Sequence, residues 1–391
     1  MGDFVVWLGS TLVMFSIIFF VFGCMIGSFL NVVIYRLPLE MNLSNPPSHC
    51  PKCETPIRWY RNIPLFTWLW QRGKCAECGA SIPSRYLLVE LLTGIAFLAA
   101  WLLVFKQFAA PGEVLHNQHW MAAAVTLALV TLLAILIAST FIDFDHYMIP
   151  DELTIGGMVA GVAFSLGAPH LHGAFFGEEI GRAHALLLSL SGMATGGGII
   201  YAVVRLGKML FGKKTYRADE PVRVTFGEDS MHMESEDDDE GIEILYEDMF
   251  YRPGDRVALH AERIELTDRC HWDRPVTITE DEVRLGEDTF KPESVDHLEV
   301  YTDEITVPRE AMGFGDVKFM AAIGAFLGWQ AVLFSLMISA LVGAVAGVII
   351  MAVRKDGANM IPYGPYIAFA AIAWIFGGYE LWHNWWASLR P

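Results

Sequence analysis

Long apolar segments constrain this chain more than any other feature of its sequence. A helix that crosses a lipid bilayer needs about 20 mainly apolar residues, and 54% of the 391 residues are hydrophobic. We predict eight membrane spans, at Phe4–Val33, Tyr86–Phe105, Met121–Ile142, Leu153–Leu166, Ala185–Val204, Val317–Leu327, Ala331–Val353 and Tyr366–Trp386. The fourth and sixth are short for a full crossing, so we expect each to be tilted or half-buried. The predicted fold class is a mainly α, polytopic transmembrane bundle.

Charge is distributed unevenly along the chain. The net charge is −17, yet residues 219–310 hold 29 of the 44 acidic and only 9 of the 27 basic side chains. Apolar and polar residues alternate in this insert, a pattern typical of strands with one buried face. The predicted strands are Val222–Phe226, Ile242–Ile244, Arg263–Leu266, Val276–Ile278 and Leu298–Val300, with a loop at Glu234–Glu240. We expect a small antiparallel β domain that either steers a basic partner by its charge or is a solvated decoration.

Two CxxC pairs lie in the loop between the first two predicted spans, separated by 21 residues. Their thiols belong to Cys50, Cys53, Cys75 and Cys78. This spacing is close to that of a structural four-cysteine zinc site, which would stabilise a loop that has no core of its own. Disulfides or incidental thiols are the alternatives, and no basic face points to nucleic-acid binding. Cys24 and Cys270 have no partner in sequence and are predicted to be packing residues.

Basic residues in short loops indicate the orientation of the spans. The loop from 36 to 85 contains seven Lys and Arg residues, and such loops stay in the cytoplasm, where disulfides are disfavoured. We therefore expect the N-terminus outside. The predicted layout is the first span (1–35), the cytoplasmic zinc-binding loop (36–85), spans two to five (86–214), the acidic β insert (215–310) and spans six to eight (311–391).

Two aspartates stand at the edges of apolar segments. Asp143 closes the third predicted span, and Asp316 precedes the sixth, directly after Gly313 and Gly315. A carboxylate at the membrane boundary is costly and is a functional candidate, although Asp151 and Asp316 could instead be helix N-caps. Two aspartates at the same depth could share one proton and polarise a water for attack on a peptide carbonyl. The glycines would let the backbone pack closely beside the pair.

The motifs around these aspartates form a specific combination. Residues 142–151 read IDFDHYMIPD and residues 313–318 read GFGDVK. They accompany GSFLNVV at 27–33, the two cysteine pairs, RYLLVEL at 85–91 and IPYGPY at 361–366. In this combination the chain resembles the type IV prepilin peptidase family, the GxGD-type intramembrane aspartic peptidases. The resemblance covers nearly all of the chain except the insert.

This resemblance implies a pair of catalytic residues and a set of supporting ones. Asp143 and Asp316 match the catalytic aspartates. The supporting residues are Asp145, Asp151, Gly313, Gly315 and Lys318, with Asp151 expected to cap a helix and Asp145 to modulate the site.

The resemblance also implies two activities. Enzymes of this family remove the basic leader of prepilins and pseudopilins after a glycine, at the cytoplasmic face of the bacterial inner membrane. Many also methylate the new N-terminus with S-adenosylmethionine, and the cysteine loop accompanies the methylating form. Glu90, acidic at a membrane boundary, is the one candidate for cofactor binding, and a salt bridge to Arg85 is its alternative role.

Two other classes of function compete with the peptidase. A transporter or channel could use Asp143 and Asp316 as a proton or cation relay, although relay carboxylates usually lie near the middle of the membrane. An assembly scaffold held by the cysteine loop would tolerate changes at both aspartates. The sequence leaves the oligomeric state open.

Overall fold

The computed structural model describes most of the chain. The described residues are 2–110, 119–176, 179–227, 230–234, 242–246, 249–250, 255–267, 269–279, 281–291, 298–308, 313–353 and 362–388. They form two compact units, one of Met1–Tyr201 with Phe314–Pro391 and the other of Ala202–Gly313.

The first unit is helical. Its helices are α1 (Gly2–Arg36), α2 (Phe66–Trp70), α3 (Ser84–Ala109), α4 (His119–His146), α5 (Asp151–Gly167), α6 (His170–Phe176), α7 (Arg182–Phe211, which continues into the second unit), α8 (Phe314–Leu327), α9 (Trp329–Val353), α10 (Gly364–Ala373) and α11 (Tyr379–Ser388). The short helices α2 and α6 were not predicted. Five of the described helices, α1, α3, α4, α7 and α9, are long and apolar enough to cross a membrane. A multi-pass membrane protein is therefore the coarse architecture.

The eighth predicted span is not one continuous helix. A π-helical turn over Trp374–Gly378 separates α10 from α11. Inside it Phe376 leaves helical geometry, and Gly377 has φ 135°, a conformation that glycine adopts without steric cost. The predicted span over Tyr366–Trp386 therefore consists of two helices joined at a break, which hydropathy does not register at a glycine pair.

The second unit contains an eight-stranded antiparallel sheet. Its strands are β1 (Lys213–Phe226), β2 (Ser230–Met233), β3 (Ile242–Leu245), β4 (Val257–Leu266), β5 (Cys270–Ile278), β6 (Val283–Leu285), β7 (Asp288–Phe290) and β8 (Leu298–Pro308). They lie in the order β3-β2-β1-β8-β4-β5-β6-β7. Every predicted strand falls within β1, β3, β4, β5 or β8, whereas the short β2, β6 and β7 were missed.

Alternate side chains of these strands build the core of the second unit. Val224, Ile264, Val276 and Val300 are buried in one apolar cluster, as the period-two pattern predicts. Cys270, in contrast, is exposed at the start of β5. Its prediction as a packing residue was wrong, whereas Cys24 is buried as predicted. The predicted acidic loop lies outside the described residues from position 235 to 240.

Candidate active site

Asp143 lies in the last turn of α4, and its carboxylate is held from another part of the chain. The side chain is only 5% exposed. The backbone N–H of Gly364, the first residue of α10, donates a hydrogen bond of 2.8 Å to Asp143 Oδ2. A Cβ atom at position 364 would lie 2.7 Å from that oxygen, so only glycine brings its amide this close. The carboxylate is therefore fixed by a backbone donor.

Asp316 lies in the first turn of α8 and is likewise buried, with 8% of the side chain exposed. It is close enough to Asp143 for the two carboxyl groups to interact electrostatically. Ile149, which follows α4, packs beside two backbone segments: the one next to Asp316 and the one that donates to Asp143. A Cβ atom at Gly315 would contact it at 3.3 Å and one at Gly364 at 3.0 Å. Gly313, two residues before Gly315, is exposed. The structure thus brings the two predicted aspartates together.

The other two acids of the motif are each paired with a cation. Arg85 Nη1 lies 2.6 Å from Asp145 Oδ2, and Lys318 Nζ lies 2.5 Å from Asp151 Oδ1. Asp151 is the first residue of α5, whose N-cap is Pro150 without a side-chain cap. The predicted capping role was therefore wrong, because the carboxylate reaches across to α8 instead. Among the described residues, no cation lies within salt-bridge distance of Asp143 or Asp316.

The four predicted metal-binding cysteines converge. Their sulfur atoms all lie within 4.8 Å of one another, and Cys50 Sγ is 3.8 Å from Cys78 Sγ. A tetrahedron with Zn–S bonds of about 2.3 Å has an edge of about 3.8 Å, so the cluster fits a tetrahedral metal ion. The tight turns beside it occur at Gly73 and Gly79, with φ of 65° and 70°. The four-cysteine group could therefore hold a metal ion.

The thiols of this cluster differ in acidity. Hydrogen bonding to Thr55 lowers the pKa of Cys53 to about 6. Although a hydrogen bond from the Ala80 backbone favours its thiolate, burial and the neighbouring thiols raise the pKa of Cys78 to about 11. Adjacent thiolates repel one another, and a bound cation removes that repulsion.

Glu90 does not form the salt bridge to Arg85 that was its alternative role. It is 9% exposed, and its Oε2 accepts a hydrogen bond of 2.8 Å from the backbone N–H of Leu65. The Ser28 hydroxyl also contacts it. Leu65 has φ 59° and ψ −54°, a strained conformation for a side chain with a Cβ atom. Glu90 therefore ties a strained turn of the cysteine loop to α1 and α3.

A cavity of 740 Å³ lies directly beside this contact. Its wall includes Ser28 and Phe29 from α1 and Asn62, Pro64 and Leu65 from the cysteine loop. The volume falls within the range of small-molecule sites, about 300–1,000 Å³. Two residues of this wall, Ser28 and Leu65, are hydrogen-bonded to Glu90.

Two known protein families match separate regions of this chain. Residues 21–104 match the Bacterial Peptidase A24 N-terminal domain, and residues 300–348 match the Type IV leader peptidase family. The Aeromonas hydrophila prepilin leader peptidase/N-methyltransferase is 28% identical over 93% of this chain and 91% of its own length. In these two regions the chain is similar to the type IV leader peptidase family.

Two relatives are more similar over shorter regions. The prepilin leader peptidase/N-methyltransferase of Myxococcus xanthus is 38% identical over 52% of this chain and 58% of its own length. The protein of that name from Neisseria gonorrhoeae is 37% identical over 43% of this chain and 62% of its own length. No solved structure matches the chain.

Sequence reasoning missed three residues at this candidate site. Gly364 and Tyr363 belong to the IPYGPY motif, which was noticed but given no role, and Ile361 of that motif lies outside the described residues. Tyr363 lies within electrostatic range of Asp316. Ile149 is the third, in the middle of the first aspartate motif. The signal that could have identified Gly364 is a glycine between two prolines ahead of an apolar segment, since such a glycine lets the backbone approach another side chain closely.

Proposed function

We propose that this protein is an intramembrane aspartic endopeptidase that removes the leader of prepilins and pseudopilins after a glycine. One observation carries the proposal: two carboxyl groups from distant parts of the chain, Asp143 and Asp316, are buried within electrostatic range of each other, without a cationic partner in the described structure. Two buried carboxyl groups that interact electrostatically favour a state in which only one of them is ionised. The relatives of similar length are named for prepilin cleavage.

In the proposed mechanism the pair handles the protons of hydrolysis. One aspartate, as carboxylate, takes a proton from a water while the water oxygen bonds to the peptide carbonyl carbon. The other, as carboxylic acid, gives its proton to the carbonyl oxygen, which yields a gem-diol. When the C–N bond breaks, the first aspartate returns its proton to the leaving nitrogen. The second regains a proton from a diol hydroxyl, which leaves a carboxylic acid and an amine.

The positions of the aspartates fit this reaction better than an ion relay. Asp143 lies three residues before the end of α4, and Asp316 is the third residue of α8. Both therefore stand at helix ends rather than in the middle of a membrane span.

We further propose eight crossings of the bacterial inner membrane. The five long helices are supplemented by α5, α8 and the broken pair α10 and α11. The basic loop of residues 36–85 supports placing the aspartates and the cysteine loop on the cytoplasmic side. The lipid bilayer and the prepilin are then the partners of the enzyme.

The peptidase is tested by co-expression with a prepilin. We expect a faster-migrating product whose mass corresponds to cleavage after the leader glycine. An unprocessed prepilin beside abundant, membrane-inserted enzyme would reject the function.

The cysteine loop supports a second activity, methylation of the new N-terminus. S-adenosylmethionine would supply the methyl group, and the cavity beside Leu65 is of a size to hold it. Ser28 and Asn62 offer polar groups on its wall. Glu90 holds Ser28 and the strained Leu65 turn in place. A structural zinc on the four cysteines would hold the loop that carries this wall.

Replacing Glu90 by glutamine should affect methylation and spare cleavage. Loss of the charged acceptor for the Leu65 N–H weakens a charge-assisted hydrogen bond, for which we expect about a tenfold or larger loss of methyl transfer. Binding of S-adenosylhomocysteine, followed by calorimetry, should weaken in parallel. Glu77→Gln is the matched control, because Glu77 pairs with Arg61 at the surface of the same loop. Wild-type binding and methylation in Glu90→Gln would contradict the assignment.

The pairing of strands β1 and β8 shows where the acidic insert can be removed. Lys213 pairs with Pro308 across β1 and β8, and paired residues lie only about 5 Å apart. A short Gly-Ser linker can therefore replace residues 214–307. If the insert is a solvated decoration, as we expect, the cleavage rate and its salt dependence stay unchanged. A slower rate at low salt, with a weaker salt dependence, would instead support electrostatic steering of a basic leader.

A further inference from the structure

The segment at the start of α10 donates a hydrogen bond to one of the two aspartates, within the described residues. The Gly364 N–H donates to Asp143, and no hydrogen bond to the Asp316 carboxyl group occurs within the described residues. An N–H donor favours the ionised form of the carboxyl group that it contacts. The two carboxyl groups therefore differ in hydrogen bonding, because the Gly364 amide stabilises the ionised form of Asp143 alone.

The residue before that amide is anchored on α9. Tyr363 Oη lies 2.9 Å from Ser339 Oγ. Ser339 Oγ also lies 3.1 Å from the Leu336 carbonyl oxygen, to which it donates, and either hydroxyl can donate the bond between Ser339 and Tyr363. Ser339 is buried. The Tyr363 hydroxyl is thus anchored on α9.

The ring of Tyr363 is held as well as its hydroxyl. Tyr363 and Tyr366 pack at an edge-to-face angle with ring centres 6.1 Å apart. Both rings lie against Gly343 of α9, where an added Cβ atom would contact them at 3.4 and 3.5 Å. Side-chain and ring contacts together fix the backbone of the segment that carries the Gly364 amide.

We propose that Ser339 and Tyr363 are positioning residues that hold the Gly364 amide on Asp143, so that Asp143 acts as the carboxylate base and Asp316 as the acid that carries the shared proton. This inference rests on the proposed peptidase function and assigns the two roles that the symmetric mechanism leaves open. The charged groups nearest the pair do not reverse the assignment. Asp145 and Asp151 are neutralised by their own cations.

The test measures kcat and KM over a range of pH for purified enzyme in nanodiscs with a prepilin peptide. Tyr363→Phe and Ser339→Ala remove the anchoring bond from either side. We expect kcat to fall about three- to tenfold in each, the effect of one neutral hydrogen bond, with KM little changed. Because the carboxylate form of Asp143 loses support, the acidic limb of the pH–rate profile should move to higher pH.

Three further variants make the result decisive. Ser339→Thr keeps the hydroxyl and should retain the wild-type profile, and the double variant should be no worse than either single variant, since both remove the same bond. Tyr366→Phe is the matched control and should leave the profile unchanged. Wild-type kcat and an unmoved acidic limb in both Tyr363→Phe and Ser339→Ala would overturn the inference. A wild-type enzyme that fails to cleave would instead reject the peptidase function itself.

Discussion

Replacing either Asp143 or Asp316 by asparagine should abolish leader cleavage while the protein still folds. Asparagine has nearly the shape of aspartate but neither accepts a proton from water nor returns one to the leaving nitrogen. Loss of positioned acid or base catalysis costs about two to four orders of magnitude in rate, and the pair acts as one unit, so we expect each single variant to be as inactive as the double variant. The measurement is single-turnover cleavage of a prepilin peptide.

The neighbouring acids provide the matched comparison. Asp145→Asn and Asp151→Asn remove carboxylates from the same motif, but these are held by Arg85 and Lys318 outside the buried pair. We expect them to slow cleavage far less than the changes at the two buried aspartates. Equal membrane abundance of all variants is the control for folding. Cleavage by Asp143→Asn or Asp316→Asn at more than a tenth of the wild-type rate would reject a shared-proton mechanism.

Removing the proposed zinc ligands should have the second largest effect. Binding of a structural zinc contributes roughly 10–16 kcal/mol to the folding of a small domain that has no core of its own. We therefore expect Cys50→Ser or Cys75→Ser to release zinc from the purified protein. The loop of residues 36–85 should then become sensitive to proteases. Methylation should be lost, because Leu65 and the cavity wall belong to this loop. Metal analysis and limited proteolysis are the measurements.

The chain offers its own control for this experiment. Cys270 is exposed in the β unit, and Cys270→Ser should keep one zinc per chain and a protected loop. Wild-type protein that contains no tightly bound metal, yet has a protease-resistant loop, would rule out the zinc assignment. Retained leader cleavage in the cysteine variants would show that the loop serves methylation alone.

Local patterns predicted most of the architecture. The strand pattern of the insert was confirmed for five strands because a buried strand face repeats every second residue within a few positions. Short β6 and β7, of three residues each, are too brief to show that period. The break after α10 was missed for a related reason. A hydropathy window averages over about 20 residues and does not resolve two glycines.

What the sequence determined by itself is the chemistry that is present: apolar segments long enough for a membrane, two paired cysteine motifs, and aspartates at helix ends. Only the tertiary structure decided which groups meet. The Asp151–Lys318 pair joins residues 167 positions apart, and the amide on Asp143 comes from 221 positions away. Glu90, for which a salt bridge to Arg85 was the alternative role, holds a backbone N–H of the cysteine loop instead. The physical reason is that residue type and spacing report contacts within one turn or strand, whereas the partner of a buried polar group is set by how distant segments pack.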